Sequence, residues 1–182
     1  KEMKRSNDKV TAEVTPHHLF FNDEALLEYN TNLKVAPPIR NDFSREALIN
    51  GLKEGIIDCI ATDHAPHSLH EKQTTFDCAS FGMIGLRSCF GIVKRLLVDE
   101  EGLSLVNLIK LLTTAPRKIM GFNSDLLKVG TEAELVLFNS VEKWKFSESH
   151  VFSKSKNSPF YGQELIGKVK YTISKGKIVE IL

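Results

Sequence analysis

The hydrophobic pattern is strongest at residues 56–61, where the run Ile-Ile-Asp-Cys-Ile-Ala is almost continuously apolar. Such a run predicts a parallel β-strand covered on both faces, and Gly55 and Pro66 mark its limits. Before it, apolar residues recur every three to four positions from Phe43 to Glu54, which predicts an amphipathic helix with Asp42 as its N-cap. A helix that leads directly into a buried strand is typical of the βαβ unit of a parallel sheet.

The rest of the chain alternates short strands, helices and polar loops. Strands are predicted at Lys9 to Val14, ending before Pro16-His17-His18, at Lys34 to Ala36, at Glu134 to Asn139, at Lys168 to Ser174 and at Lys177 to Leu182. Helices are predicted at Asp23 to Tyr29, at Met83 to Val98, at Leu103 to Leu112 with Ser104 as N-cap, and after Thr114 as far as Gly121. Ser68 to Ser80 is polar, which predicts a mobile loop, and Lys175-Gly176 predicts a hairpin turn.

Three side chains that can bind metal or titrate near neutral pH follow the strand at residues 56–61: Asp63, His64 and His67. In α/β folds, functional groups collect just beyond the carboxyl ends of such strands. An Asp in this position is also a common cap for the next helix, with Pro66 in the turn. The residues alone leave both interpretations open.

Composition narrows the class of protein. The 182 residues are 42% hydrophobic and 26% charged, as in an ordinary globular protein. The net charge of +1 comes from interspersed signs, so we expect no binding to nucleic acid or to an anionic membrane. Without a bilayer-length apolar run or a signal-peptide pattern after Lys1, a cytoplasmic protein is expected. Cys59, Cys78 and Cys89 predict reduced, mostly buried thiols.

Several stretches resemble class I (bacterial-type) dihydroorotases, which are members of the amidohydrolase superfamily. The main one is Ala61-Thr62-Asp63-His64-Ala65-Pro66-His67. Four others occur in the family's order: residues 11–19 with Pro16-His17-His18, residues 34–40 with Ala36-Pro37-Pro38, residues 81–86 beginning Phe81-Gly82, and Asn157-Ser158-Pro159-Phe160. Together they cover nearly the whole chain.

The resemblance implies the carboxyl-terminal part of a (β/α)8 TIM-barrel hydrolase, followed by a small β extension. Residues 1–128 would belong to the barrel and residues 129–182 to the β-rich extension. A complete barrel takes roughly 250 residues, so this chain can supply only part of one. The family's other half carries a His-x-His pair and most ligands of its one or two zinc ions. We therefore expect the active site to need that half, as a second chain or as further residues.

The resemblance also implies roles for individual residues. Asp63 would bind zinc and carry the catalytic proton, while His67 would contact the substrate carboxylate. Phe81 and Gly82 would contact substrate through their backbone. Ala36 stands where the family generally has a substrate-binding Asn. His64, His17 and His18 would support the site without binding metal; the last two follow a predicted strand, where neighbouring side chains point to opposite faces.

The implied activity is the interconversion of dihydroorotate and N-carbamoyl-L-aspartate in pyrimidine biosynthesis. Ala36 favours a different interpretation, a non-catalytic subunit that scaffolds a partner such as aspartate carbamoyltransferase. A hydantoinase-type or allantoinase-type cyclic amidohydrolase is a further alternative, although His67 opposes it because those enzymes lack a His at that position.

Overall fold

A computed structural model describes residues 2–7, 9–125 and 127–181. Its strands are β1 (Glu13–Val14), β2 (Cys59–Ile60), β3 (Leu135–Lys145), β4 (Glu164–Ser174) and β5 (Lys177–Glu180). Its α-helices are α1 (Glu2–Ser6), α2 (Pro16–Phe20), α3 (Asp42–Lys53), α4 (Leu69–Lys72), α5 (Cys89–Val93), α6 (Leu105–Leu112) and α7 (Thr114–Ile119). A π-helix (Lys94–Glu100) continues α5, and 3₁₀ turns lie at Asp23–Leu26, Thr31–Leu33 and Glu148–His150.

Strands β1 and β2 form a parallel pair in which Val14 lies opposite Ile60. Both are shorter than predicted. The backbone N–H groups of Ile56 and Ile57 donate to the carbonyl of Gly51 at 2.8 and 3.1 Å, so the chain before β2 is still held by the end of α3. The apolar run therefore correctly predicted the position and the burial of the strand. The strand is short because the N–H groups of Ile56 and Ile57 are bonded to the end of α3 and cannot also pair with a neighbouring strand.

The segment Lys34 to Ala36 forms no strand, contrary to prediction, although all three residues are described. Its one ladder-like bond runs from the Gly82 N–H to the Lys34 carbonyl at 2.8 Å. Pro37 and Pro38 have no N–H to continue such pairing. The segment nevertheless lies beside Gly82.

Helix α3 confirms the amphipathic prediction, with Asn41 in place of Asp42 as the cap: its Oδ1 accepts from the Ser44 N–H at 3.1 Å. Helix α6 is capped by Ser104 as predicted. The long helix predicted from Met83 is wrong at its start. Met83 forms a parallel bridge with His64, and its carbonyl accepts from the Ala65 N–H at 2.9 Å, so the chain is extended at Met83, and a turn at residues 86–88 leads into α5.

The antiparallel sheet β3-β4-β5 confirms the β-rich end and its hairpin, in which Lys175 and Gly176 both have positive φ. Strand β3 runs six residues beyond the predicted end at Asn139. The register shifts between Asn139 and Lys143. The residues there are mostly polar and do not show the apolar–polar alternation from which a strand is predicted. Leu182, predicted as the last strand residue, lies outside the described residues.

Two apolar clusters form the core. The first packs β1 and β2 against helices and contains Val14, Leu19, Ile49, Leu52, Ile57, Ile60, Val93, Leu96, Leu97 and Leu108. The second contains Leu33, Val35, Ile39, Met83, Ile84, Ile92, Phe146, Val151, Phe160 and Leu165. It joins the antiparallel sheet to the segments around the candidate site, and a Cβ added at Gly91 would lie 2.8 Å from the Leu165 Cβ. The division at residue 128 stays a prediction.

Cys59 and Cys89 are buried as expected, and burial raises the pKa of the Cys89 thiol to about 12. Cys78 is exposed, and the three cysteines are thus free and mostly buried, as predicted. In the part of the chain that the structure describes, no helix has both the length and the apolar character needed to cross a bilayer.

Candidate functional site

Asp63 lies just beyond β2 and is exposed. Its backbone is left-handed, with φ of 49°, between the buried strand and the bridge that His64 forms with Met83. Asp is among the residues that tolerate this conformation best. Its carboxylate makes no hydrogen bond or ion pair with any described residue, and it does not cap a helix. The geometry thus leaves an accessible carboxylate at the end of a parallel strand.

His64 is half-buried, and its Nδ1 accepts a hydrogen bond from the Gly85 N–H at 3.1 Å. In a neutral imidazole the other nitrogen must then carry the proton, so Nε2–H is a donor. His64 therefore fixes the start of the Gly85 turn, and this tautomer has no free nitrogen lone pair for a metal ion.

His67 makes two hydrogen bonds and has a carboxylate near its remaining ring nitrogen. Its Nε2 donates to the Phe81 carbonyl at 2.8 Å, and its backbone N–H donates to Asn157 Oδ1 at 3.2 Å. Its Nδ1 lies 3.6 Å from Glu71 Oε1. The ring therefore links the turn after β2 to the segment Phe81-Gly82.

Position 82 has no room for a side chain, so it requires glycine. Its φ is 124°, and an added Cβ would lie 2.5 Å from the Ala65 Cβ, a separation that real atoms do not tolerate. The neighbouring Phe81 ring is 57% exposed, and the Lys34 ammonium lies 4.5 Å from its centroid. Two backbone segments, 63–67 and 81–82, are thus in direct contact.

Comparison with known proteins identifies the family. Residues 13–179 match the family described as "Amidohydrolase family". The chain belongs to the amidohydrolase family. It is 44% identical over 171 residues to a dihydroorotase of Caldicellulosiruptor saccharolyticus, and 44% identical over 170 residues to one of Clostridioides difficile. These alignments cover 94% and 93% of this chain but only 40% of each relative, so the chain spans less than half their length. The resemblance to dihydroorotases is confirmed.

Solved structures of hydantoinases have a fold similar to that of this chain. An L-hydantoinase (dihydropyrimidinase) from Arthrobacter aurescens superposes with a TM-score of 0.90 at 26% identity, covering 100% of this chain and 42% of that one. A D-hydantoinase from a Thermus species superposes with a TM-score of 0.87 at 18% identity, covering 99% and 41%. The α/β class is confirmed, in the form of part of such a hydrolase.

The histidine pair does not lie in the environment predicted for it. His17 and His18 occupy α2, whose N-cap Thr15 accepts from the His18 N–H at 3.2 Å, so the argument from opposite faces of a strand was wrong. The His18 ring is bonded at both nitrogens, to Thr15 Oγ1 at 2.6 Å and to the Pro37 carbonyl at 2.9 Å. It therefore supports the loop beside Ala36, which is itself exposed.

His17 is 1% exposed, and its Nε2 has no hydrogen-bond partner among the described residues. Burial, and then the nearby His18, lower the pKa of His17 from 6.5 to about 3. The ring is therefore neutral at physiological pH. Its orphaned nitrogen is a buried polar atom that the described part of this amidohydrolase leaves unsatisfied.

The zinc implied by the resemblance fits these residues only in part. Catalytic zinc sites use three protein ligands, and among the described residues no group of three His, Cys, Asp or Glu side chains could hold a metal ion. Asp63 offers one free carboxylate. His18, His64 and His67 each have ring nitrogens bonded to protein groups.

Sequence reasoning assigned no role to two residues that organise the site. Asn157 is 5% exposed, and its Nδ2 donates to the carbonyls of Ala65 and Gly82 at 2.9 and 3.3 Å. It belongs to a quoted motif, but its partners are far away in sequence. Lys72 lies in the predicted mobile loop, which instead contains α4, with a capping box between Ser68 and Glu71. His70 in the same loop is exposed.

Proposed function

We propose that this chain is the carboxyl-terminal part of a zinc-dependent dihydroorotase with a (β/α)8 barrel. It would interconvert dihydroorotate and N-carbamoyl-L-aspartate once the amino-terminal half is present. The observation that carries the proposal is the 44% identity to a dihydroorotase over 94% of this chain. The accessible Asp63 carboxylate at the end of a parallel strand supports it, because that is where such folds hold catalytic groups.

In this proposal Asp63 carries the proton. Hydrolysis forms a bond between the water oxygen and the amide carbon and breaks the bond to the ring nitrogen, which must leave protonated. The Asp63 carboxylate accepts the proton of the attacking water and delivers it to that nitrogen. Ring closure reverses both transfers. Zinc, when bound, would supply a more acidic water and polarise the carbonyl, with Asp63 as one ligand and most others from outside this chain.

His67, Phe81 and Gly82 form the proposed substrate side. The ring of His67 already donates from Nε2 to the Phe81 carbonyl, so a hydrogen bond to the substrate carboxylate falls to Nδ1. That requires protons on both ring nitrogens and competes with Glu71, 3.6 Å away. A substrate carboxylate at this position would therefore take the place of the Glu71 carboxylate as the negatively charged partner of the His67 ring.

The overall fold cannot separate dihydroorotate from other cyclic amides, because hydantoinases superpose closely on this chain. The difference in identity, 44% against 26%, favours dihydroorotase. Ala36 favours the second candidate, a non-catalytic scaffold for a partner such as aspartate carbamoyltransferase, because its methyl group cannot replace the amide of the family's Asn. A scaffold would show no turnover even with every zinc ligand present.

The test uses an assembly of this chain with the amino-terminal half, as one polypeptide or two. We expect zinc-dependent hydrolysis of dihydroorotate, and we expect Asp63→Asn to lower kcat by at least about 10³-fold because an amide cannot accept the proton. Asp23→Asn, at an exposed carboxylate in a 3₁₀ turn, is the matched control and should keep the wild-type rate. An Asp63→Asn assembly with a tenth of wild-type activity would remove Asp63 from this role.

The 182-residue chain by itself is expected to hydrolyse no dihydroorotate, because one carboxylate does not complete a zinc site. Turnover with stoichiometric zinc, in material shown by intact mass to contain no other polypeptide, would contradict a divided active site.

A further inference from the structure

Lys72 is buried to an unusual degree for a lysine. It ends the four-residue helix α4 in a polar loop, yet it is only 5% exposed, while its neighbours Glu71 and Gln73 are exposed. Lysines are almost never fully buried unless they are paired. Among the described residues, no carboxylate lies within ion-pair distance of its ammonium. Its partners must therefore be neutral groups.

Those partners are backbone carbonyls of the proposed substrate segment. The Lys72 Nζ donates to the Ser80 carbonyl at 2.7 Å and to the Gly82 carbonyl at 3.0 Å. The Lys72 carbonyl accepts from Thr31 Oγ1 at 2.7 Å, which anchors the loop on its other side. Hydrogen bonds from a charged donor are about twice as strong as neutral ones.

Three consecutive carbonyls are held in this way. Lys72 binds those of Ser80 and Gly82, and His67 binds that of Phe81 between them at 2.8 Å. The Gly82 N–H is also bonded, to the Lys34 carbonyl. Most backbone polar groups of residues 80–82 are thus hydrogen-bonded. The orientation of this backbone therefore depends on the side chains that bind it.

The surroundings of Lys72 disfavour its charged form. Desolvation, and then the positive charge of Lys34, lower the pKa of Lys72 to about 8, against an opposing effect of Glu71. A neutral amine still has two N–H groups, as many as it has carbonyl partners. Both protonation states can hold the segment, so its geometry does not depend on the charge.

We propose that Lys72 is a positioning residue for substrate binding: its amine fixes the carbonyls of Ser80 and Gly82 and thereby aligns the Phe81-Gly82 backbone beside His67. The proposal rests on the proposed function for one point, that Phe81-Gly82 contacts the substrate. The clamp itself, by which we mean the hydrogen bonds from the Lys72 amine to the carbonyls of Ser80 and Gly82, is supported by the distances given above.

Lys72→Met is the informative variant, because it keeps the length of the side chain and removes both hydrogen bonds. In the complete assembly we expect KM for dihydroorotate to rise about tenfold or more, with kcat changed by less than about threefold, since binding geometry is lost before chemistry. Lys72→Arg keeps donors and should recover most of the loss in KM. If Lys72→Met does not fold, Lys72→Arg against Lys72→Gln gives the same comparison.

Lys94→Met is the matched control. Lys94 is also 5% exposed, but its ammonium pairs with Asp99 at 2.7 Å in the π-helix and has no link to Ser80 or Gly82. Its variant should keep the wild-type KM even if stability falls. Equal rises in KM for Lys72→Met and Lys94→Met, or no rise for Lys72→Met, would overturn the proposal.

A second readout does not depend on activity. Hydrogen exchange of the Gly82 amide, protected by its bond to the Lys34 carbonyl, should speed up about tenfold or more in Lys72→Met and stay unchanged in Lys94→Met. Unchanged exchange in Lys72→Met would overturn the clamp. If the assembly hydrolyses no dihydroorotate, the proposed function fails by itself, while the exchange measurement still decides whether Lys72 holds the segment.

Discussion

Asn157 and His67, 90 residues apart, are joined by a hydrogen bond from the His67 backbone N–H to Asn157 Oδ1 at 3.2 Å. The same side chain donates from Nδ2 to the carbonyls of Ala65 and Gly82. Asn157 thus satisfies groups on both backbone segments of the site. It locks the turn after β2 to the segment before α5.

The first prediction concerns this link. Asn157→Ala leaves the His67 N–H and the Ala65 carbonyl without their partner, whereas the Gly82 carbonyl keeps its bond from Lys72. We expect the free energy of unfolding to fall by about 3 kcal/mol. Urea unfolding followed by the fluorescence of Trp144, the single tryptophan, measures it. Asn107→Ala, at an exposed position in α6, should change stability by less than about 0.5 kcal/mol. Similar effects for the two variants would argue against Asn157 as the link.

The second prediction concerns Gly82. Gly82→Ala adds both an unfavourable φ of 124° and a methyl carbon 2.5 Å from the Ala65 Cβ, so we expect a loss of about 3 kcal/mol. Gly102→Ala has a positive φ of 72° but open space around the added methyl, and it should cost about 1 kcal/mol. Thermal unfolding of both variants separates the clash from the backbone effect. Equal losses would mean that packing against Ala65 contributes nothing.

The third prediction follows from the buried His17. Its pKa is about 3 in the folded chain and 6.5 when unfolded, so the unfolded state binds more protons between these values. Stability contributed by this neutral ring is present above pH 6.5 and falls as pH drops toward 3, by on the order of 4 kcal/mol. In His17→Leu the decline should be shallower by one proton, measured by urea titrations across pH. His70→Leu, at an exposed position, should keep the wild-type slope.

The fourth prediction separates two roles of His67. If its ring binds the substrate carboxylate, His67→Ala should weaken dihydroorotate binding in the complete assembly by about 1.5 to 3 kcal/mol. Dihydrouracil, which lacks that carboxylate, should be a poor substrate and indifferent to the change. The bond to the Phe81 carbonyl offers the other outcome. Equal losses for both substrates would assign His67 to supporting the Phe81-Gly82 segment alone.

Local signals in the sequence determined the elements whose hydrogen bonds close within a few residues. The spacing of apolar residues predicted α3, Ser104 predicted the start of α6, and Lys175-Gly176 predicted the β4-β5 hairpin. The buried apolar run also predicted that Asp63 follows a strand, as it does, while the catalytic role of Asp63 stays a prediction. These inferences succeeded because capping, periodicity and turn geometry depend on neighbours along the chain.

The tertiary structure alone decided how the site is held together. Met83 stays extended because it bridges to His64, His67 bonds to Phe81, and Asn157 spans 90 residues to reach His67. Lys72 is buried although its sequence neighbours are polar, because carbonyls of another segment accept hydrogen bonds from its amine. Such hydrogen bonds join backbone segments that only folding brings together, so no local pattern of residues records them.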